Sequence, residues 1–343
     1  FEIRDFNNPS CCTGGIGSGV LAWDAGTSDI IIRNNYFHNL GWNGILVGSD
    51  DGSIQENWTI KNNTIENSDY AGIELTNVEK SVVMNNNVKV GSGIVWDPDD
   101  SGVGIEIAVR DHGTIVKTGD NIVQDNFIGK DVNTGTSAGP RAGVNILVRS
   151  YVDPANSSLK NVSIINNSIG EIKRGIFITA ESRNDGDAMI NVIKIKDNFI
   201  DDNGNGITIH DYVKTGSGKA VHADIEILDN IIRDSTGPSS GIHIIPGTKG
   251  SEIFVHYNNI INNLVFGLNN EGIGTLNATF NYWGHCTGPS GNGTGLGDGV
   301  SANVDFDPWL GICIQNKTQT NCSFENKNVS LFANVSGSDL DTV

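Results

Sequence analysis

A six-residue phrase returns nine times along this chain, and few folds can accommodate it: apolar, any, polar or aromatic, Asn, any, apolar. It occupies residues 32–37, 60–65, 83–88, 123–128, 164–169, 195–200, 227–232, 255–260 and 278–283. The shared asparagines are Asn35, Asn63, Asn86, Asn126, Asn167, Asn198, Asn230, Asn258 and Asn281, at intervals of 23 to 41 residues. A second phrase, Gly followed by alternating apolar residues, comes a short loop later. Examples are Gly44-Ile45-Leu46-Val47, Gly72-Ile73-Glu74-Leu75, Gly175-Ile176-Phe177-Ile178, Gly206-Ile207-Thr208-Ile209 and Gly241-Ile242-His243-Ile244.

Each phrase is a short strand with period-2 alternation, one side-chain set pointing inward and the next outward. No single repeat can bury its apolar face, so the repeats must stack and share a continuous column of Ile, Val and Leu. Asn sits where the chain turns: it tolerates the left-handed conformation, and its amide bonds neighbouring backbone, so stacked copies form a ladder. Gly opens the next strand because the backbone bends there with no room for a side chain. The predicted fold is all-β: a right-handed parallel β-helix of roughly ten rungs, about 50 Å long at about 4.8 Å per rung. It spans residues 1–311. Residues 312–343 read as a glycosylated, strand-like tail, either the start of a β-sandwich module or a strand that pairs with a neighbouring subunit.

Charge and cysteines narrow the setting. Lys plus Arg total 22 against 40 Asp plus Glu, and the net charge of −18 argues against nucleic acid and anionic lipid as partners. No segment is long and apolar enough to span a membrane. Phe1 stands first with no basic-then-apolar leader, which reads as a processed chain or as part of a longer one. The five cysteines show no zinc spacing. Cys313 and Cys322 are spaced to close a short loop as a disulfide; Cys11, Cys12 and Cys286 are left for further bridges. Eleven Asn-x-Ser/Thr sequons occur, at Asn57, Asn62, Asn156, Asn161, Asn166, Asn277, Asn292, Asn316, Asn321, Asn328 and Asn334. The last four should be exposed in the tail, whereas Asn62 and Asn166 directly precede ladder positions, where the turn would hide them. Sequons and cysteines together point to an extracellular protein.

At these repeats the sequence resembles the right-handed β-helix repeat families, the pectate-lyase-like superfold that includes carbohydrate-binding and sugar-hydrolase types. The resemblance covers about residues 1 to 310 and implies fold; such scaffolds serve lyases, hydrolases, epimerases, adhesins and structural rods alike. A closing segment is more specific: Asn281-Tyr282-Trp283-Gly284, Gly288-Pro289-Ser290-Gly291, Gly297-Asp298-Gly299 and Val304-Asp305-Phe306-Asp307-Pro308-Trp309-Leu310. It is similar to the end of β-helix regions in large prokaryotic, notably archaeal, cell-surface proteins. That similarity implies a surface-layer, adhesin or filament module that associates head to tail with copies of itself or with neighbouring domains. Trp283, Phe306 and Trp309 would then close the end of the core.

Catalysis has its own candidates. Outward positions of the Gly-led strands carry Glu74, Glu106, Asn145, Phe177, Thr208 and His243, followed by Arg110, Asp111, Arg149, Glu181, His210 and Asp211. A secreted polysaccharide lyase, hydrolase or epimerase would draw Glu74, Glu106, Arg149 and His210 from this strip. Glu74 and Glu106 would serve as an acid/base pair across stacked rungs, and Arg149 would face a uronate carboxylate. The plainer reading is a solvated polar face, with a glycan as ligand at most. Motifs favour it: Asn133-Thr134-Gly135 and Asp111-His112-Gly113 stand where pectin hydrolases would need Asn-Thr-Asp and Gly-His-Gly, and Asp97-Pro98-Asp99 lacks the epimerase His. Two insertions interrupt the repeat, one acidic at Asp97 to Asp100 and one rich in Gly, Thr and Ser at 133–140. Asp97, Asp99 and Asp100, or Asp50 and Asp51, have the chemistry for calcium, but a solvated acidic turn is the favoured reading and no metal site is expected. No other cofactor is expected.

Overall fold

Ile and Val recur at alternate positions, and their β-branched side chains fill a pleated surface. The computed structural model describes residues 1–4, 17–23, 26–49, 52–91, 102–111, 114–130, 141–151, 156–237 and 240–311. Their strands form three large sheets, of nine, eleven and eleven strands, and a two-stranded pair. Successive coils of chain add strands to the large sheets, each pairing in parallel with the coils before and after it. No α-helix occurs among the described residues, only one 3-10 turn at Gly250–Glu252. The protein is a right-handed parallel β-helix.

One sheet precedes the ladder asparagines, one follows them, and the third holds the Gly-led strands. Inward side chains stack in register along each. The pre-ladder sheet lines up Ile60, Val83, Val123, Ile164, Ile195 and Ile227. The Gly-led sheet lines up Ile45, Ile73, Ile105, Val144, Ile176 and Ile207. All of these are fully buried, and each such side chain stabilises the fold by roughly 1.5–3 kcal/mol. The glycine opening a Gly-led strand has the crowding that the sequence implied: a Cβ on Gly72 would lie 2.4 Å from Val88 Cγ1 and 2.7 Å from the Gly104 carbonyl oxygen. At the far end Trp283 is fully buried, and Phe306 and Trp309 pack against the core with ring centroids 6.3 Å apart.

The nine asparagines form a continuous amide ladder. Each Oδ1 from Asn63 to Asn281 accepts from both the backbone N–H and the Nδ2 of the preceding ladder asparagine, at 2.9–3.1 Å. The left-handed conformation, however, is not theirs. It falls on the residue just before: Asn34, Asn62, Asn85, Asp125, Asn166, Asp197, Asp229, Tyr257 and Phe280, with φ between 51° and 61°. The reason is a division of labour. The ladder side chain must turn into the stack to reach the next rung, while the residue that reverses the chain points away from it. Asn and Asp adopt that backbone most readily among non-glycine residues, and seven of the nine corners use them. Asn62 and Asn166, placed at these corners, are therefore exposed and not hidden by the turn.

Cys286 is disulfide-bonded. Cys11, Cys12, Cys313 and Cys322 lie outside the described residues, as do both insertions with Asp97, Asp99 and Asp100, the pair Asp50 and Asp51, and the whole tail 312–343 with its four sequons.

Candidate functional site

The Gly-led strands place their outward residues in register columns. Leu46, Glu74, Glu106, Asn145, Phe177, Thr208 and His243 form one. Arg110, Arg149, Glu181 and Tyr212 form a second, four residues further along each strand. A solvated face was the expectation, but most of this one is closed. Glu74 is 2 % exposed, Glu106 0 % and Arg149 6 %. The arginines lie back over neighbouring rungs and pair with the buried carboxylates.

One guanidinium serves both candidate glutamates. Arg110 NH1 donates to Glu74 Oε1 at 2.5 Å, and its NH2 donates to Glu106 Oε1 and, at 3.2 Å, to the Tyr70 hydroxyl. The remaining carboxylate oxygens are also occupied: Asn43 Nδ2 donates to Glu74 Oε2 and Asn145 Nδ2 to Glu106 Oε2, each at 2.7 Å. Further along, Glu181 accepts from Arg149 Nε at 2.5 Å and from Arg183 Nε at 2.7 Å. Asp111, fully buried, accepts from Ser150 Oγ, Ser157 Oγ and the Tyr151 N–H, each at 2.6 Å. Both carboxylates are thus taken up by one arginine and two asparagines, whereas an acid/base pair needs oxygens free to face a substrate.

The fourth candidate stands apart. His210 lies on the rung of Thr208, three rungs beyond Glu106, or roughly 14 Å at about 4.8 Å per rung. It stacks on Tyr212 with centroids 5.2 Å apart. Burial, chiefly, holds its imidazole below the ordinary value, and the charges of Arg174 and His243 act in the same direction against Asp211 and Glu181. Thus Glu74 and Glu106 meet at Arg110, Arg149 belongs to Glu181, and His210 joins none of them.

Histidine–carboxylate pairs escaped sequence reading; besides an exposed one between His38 Nε2 and Glu2 Oε1 at 3.0 Å, two lie at the Gly-led face. His243 Nε2 lies 2.9 Å from Glu271 Oε2, and the His243 interaction is the leading cause that holds the Glu271 carboxyl below its usual range. His222, almost fully buried, sets Nδ1 2.9 Å from Asp211 Oδ2 and Nε2 3.1 Å from the Lys249 carbonyl. The signal for the first was present in the Gly-led phrase at Gly267-Leu268, which puts Glu271 one rung beyond His243; the second joins two sheets and leaves no local trace. Among the described residues no group of three or more His, Cys, Asp or Glu is placed to hold a metal ion. None of their helices is long and apolar enough to cross a membrane. The sequon residues Asn57, Asn62, Asn156, Asn161, Asn166 and Asn292 are exposed and Asn277 is half-buried.

No protein-family model matches this chain, and no curated protein matches it. Among solved structures, one titled "The complex structure of XylC with xylose" aligns at 12% identity and a TM-score of 0.37. The alignment takes in 78% of this chain but 41% of that one, so this chain spans less than half of that protein.

Proposed function

We propose that this chain is a non-catalytic structural module of an extracellular or cell-surface protein, of the surface-layer, adhesin or filament kind. One observation carries the reading: the carboxylates that a glycan-cleaving or epimerising site would use are buried and committed to arginines. A groove that turns over sugars needs an accessible acid and base converging on one point. On this reading the ion pairs stiffen the rod, the exposed sequons carry glycans, and the partners are neighbouring domains or further copies stacked end to end. The test is activity on a panel of neutral and acidic polysaccharides, followed by reducing-sugar and unsaturated-uronate assays. No turnover is expected. Turnover that disappears in Glu106→Gln would replace this reading with that of a polysaccharide lyase, hydrolase or epimerase.

A further inference from the structure

At the capped end of the rod a short loop, 292–296, joins two paired strands, Pro289–Gly291 and Gly297–Val300, and carries the exposed sequon Asn292-Gly293-Thr294. Its backbone is pinned. The Asn292 N–H donates to the Val300 carbonyl at 2.9 Å, the Gly295 N–H to the Pro289 carbonyl at 2.8 Å, and the Leu296 N–H to Thr287 Oγ1 at 2.9 Å. The Asn292 side-chain amide has no hydrogen-bond partner among the described residues, whereas Asn161 and Asn166 donate theirs to Asp120 and Asp125. Asn292 and Thr294 line a cleft together with Thr287, Pro289, Phe306 and Trp309. Both aromatic residues are half-buried, packed on the core and tilted 43° to each other. Trp309 is fixed in place: its Nε1 donates to the Cys286 carbonyl at 3.3 Å, and a Cβ on Gly288 would lie 2.6 Å from its Cε2.

We propose that Asn292 carries an N-glycan whose innermost sugar folds back into this cleft, onto Phe306 and Trp309. The inference rests on the extracellular reading above and gives one glycan a structural task within it. A sugar bonded to Asn292 is tethered beside every other residue that lines the same cleft, so its effective concentration there is high and its packing needs no separate encounter. The pinned loop and the fixed Trp309 hold the two sides of the seat before the sugar arrives, which lowers the ordering cost. The C–H face of a pyranose is apolar and matches the face of an aromatic ring, and the contact removes from water the aromatic surface that the cap leaves uncovered. Since Phe306 and Trp309 pack on the core at this end, the sugar becomes the outermost layer of the cap.

Protein from its native host is mapped by glycopeptide mass spectrometry and by hydroxyl-radical footprinting, which reads side-chain access residue by residue. Sugar is expected at Asn292. Asn292→Gln and Thr294→Ala, made in the same host, both lose that sugar. Both should show several-fold greater oxidation of Trp309 and Phe306, with the fully buried Trp283 unchanged. Thr294→Ser, which keeps the sequon, and Asn57→Gln, which loses a sugar elsewhere, should oxidise like the parent. The melting midpoint should fall by on the order of 2 °C in Asn292→Gln and Thr294→Ala alone. A bare Asn292 beside a glycosylated Asn57 overturns this inference and leaves the extracellular reading standing, whereas a chain bare at every sequon overturns both. Equal oxidation of Trp309 and Phe306 in the parent and in Asn292→Gln means that the sugar points to solvent, and it overturns the seat.

Discussion

Replacing Arg110 by Met tests the reading of the Gly-led face most directly. The side chains of Arg110, Glu74 and Glu106 are 11 %, 3 % and 0 % exposed, so the substitution strands two register-paired carboxylates with little access to water. Breaking one buried pair by removing a partner costs about 3–5 kcal/mol. Here the two anions also repel, although Asn43, Thr76 and Asn145 still donate to them. The expected loss in denaturant unfolding at neutral pH is therefore at the upper end of that range. The control is Arg110→Met combined with Glu74→Gln and Glu106→Gln, which removes the charge altogether and should recover most of the stability. A single variant that unfolds like the parent at neutral pH, or a triple variant no better than the single, would refute the claim that Arg110 neutralises both glutamates.

Asn198→Ala removes the two bonds its Oδ1 accepts from Asn167 and the three its Nδ2 donates, to the Ile164 and Lys196 carbonyls and Asn230 Oδ1. A loss of about 1–3 kcal/mol in thermal unfolding is expected, and an unchanged transition would count against the ladder as a stabilising element. His210 has a folded-state pKa below its ordinary 6.5, so its contribution is complete above that pH and lost as pH falls through the folded value. His210→Gln should accordingly flatten the decline in stability measured below pH 6.5, and an identical decline in both proteins removes His210 as its source. The Lys89 ammonium, followed by the Tyr36 hydroxyl, holds the Glu66 carboxyl below its usual range. Lys89→Met should raise its NMR titration midpoint; a fixed midpoint would assign the shift elsewhere. Intact mass of native protein should exceed that of the bare chain, with sugar at the exposed Asn57, and a bare mass would remove the main support for an extracellular setting.

The fold was legible because a solenoid writes its periodicity into local sequence. Ile164, Asn167 and Ile169 each occupy a place that one coil alone dictates, and the same spacing recurs in the next coil. The corner was misplaced by one residue because Asn-Asn pairs such as Asn34-Asn35 and Asn62-Asn63 present two candidates for two jobs, and composition does not separate reversal from bonding. The functional face was harder. Alternation identified Glu74 and Glu106 as outward, but outward is not exposed, and the partner they share in Arg110 depends on a register that variable coil lengths conceal. On the post-ladder sheet Tyr36, Phe127 and Phe199 fall in one register column for the same reason unseen in sequence, since 91 and 72 residues separate them while three and two rungs do.

Register also gives the buried charges a purpose that stability does not. The apolar columns are nearly uniform Ile and Val, and the ladder is uniform Asn, so neither distinguishes one rung from the next. A chain stacked one rung out of place would bury almost the same surface. The residues that differ from rung to rung are the Glu74–Arg110–Glu106 and Arg149–Glu181–Arg183 groups and the Asp111 knot with Ser150 and Ser157. A slip would leave those charges buried without partners, at several kcal/mol each. Buried ion pairs are poor contributors to net stability but strong discriminators between registers, and a repetitive rod needs discrimination more than it needs further apolar burial. The triple neutral variant separates the two roles. If it recovers stability yet gives multiple NMR signals per residue near Glu106, the network specifies register; a single sharp set of signals would leave its role as local neutralisation alone.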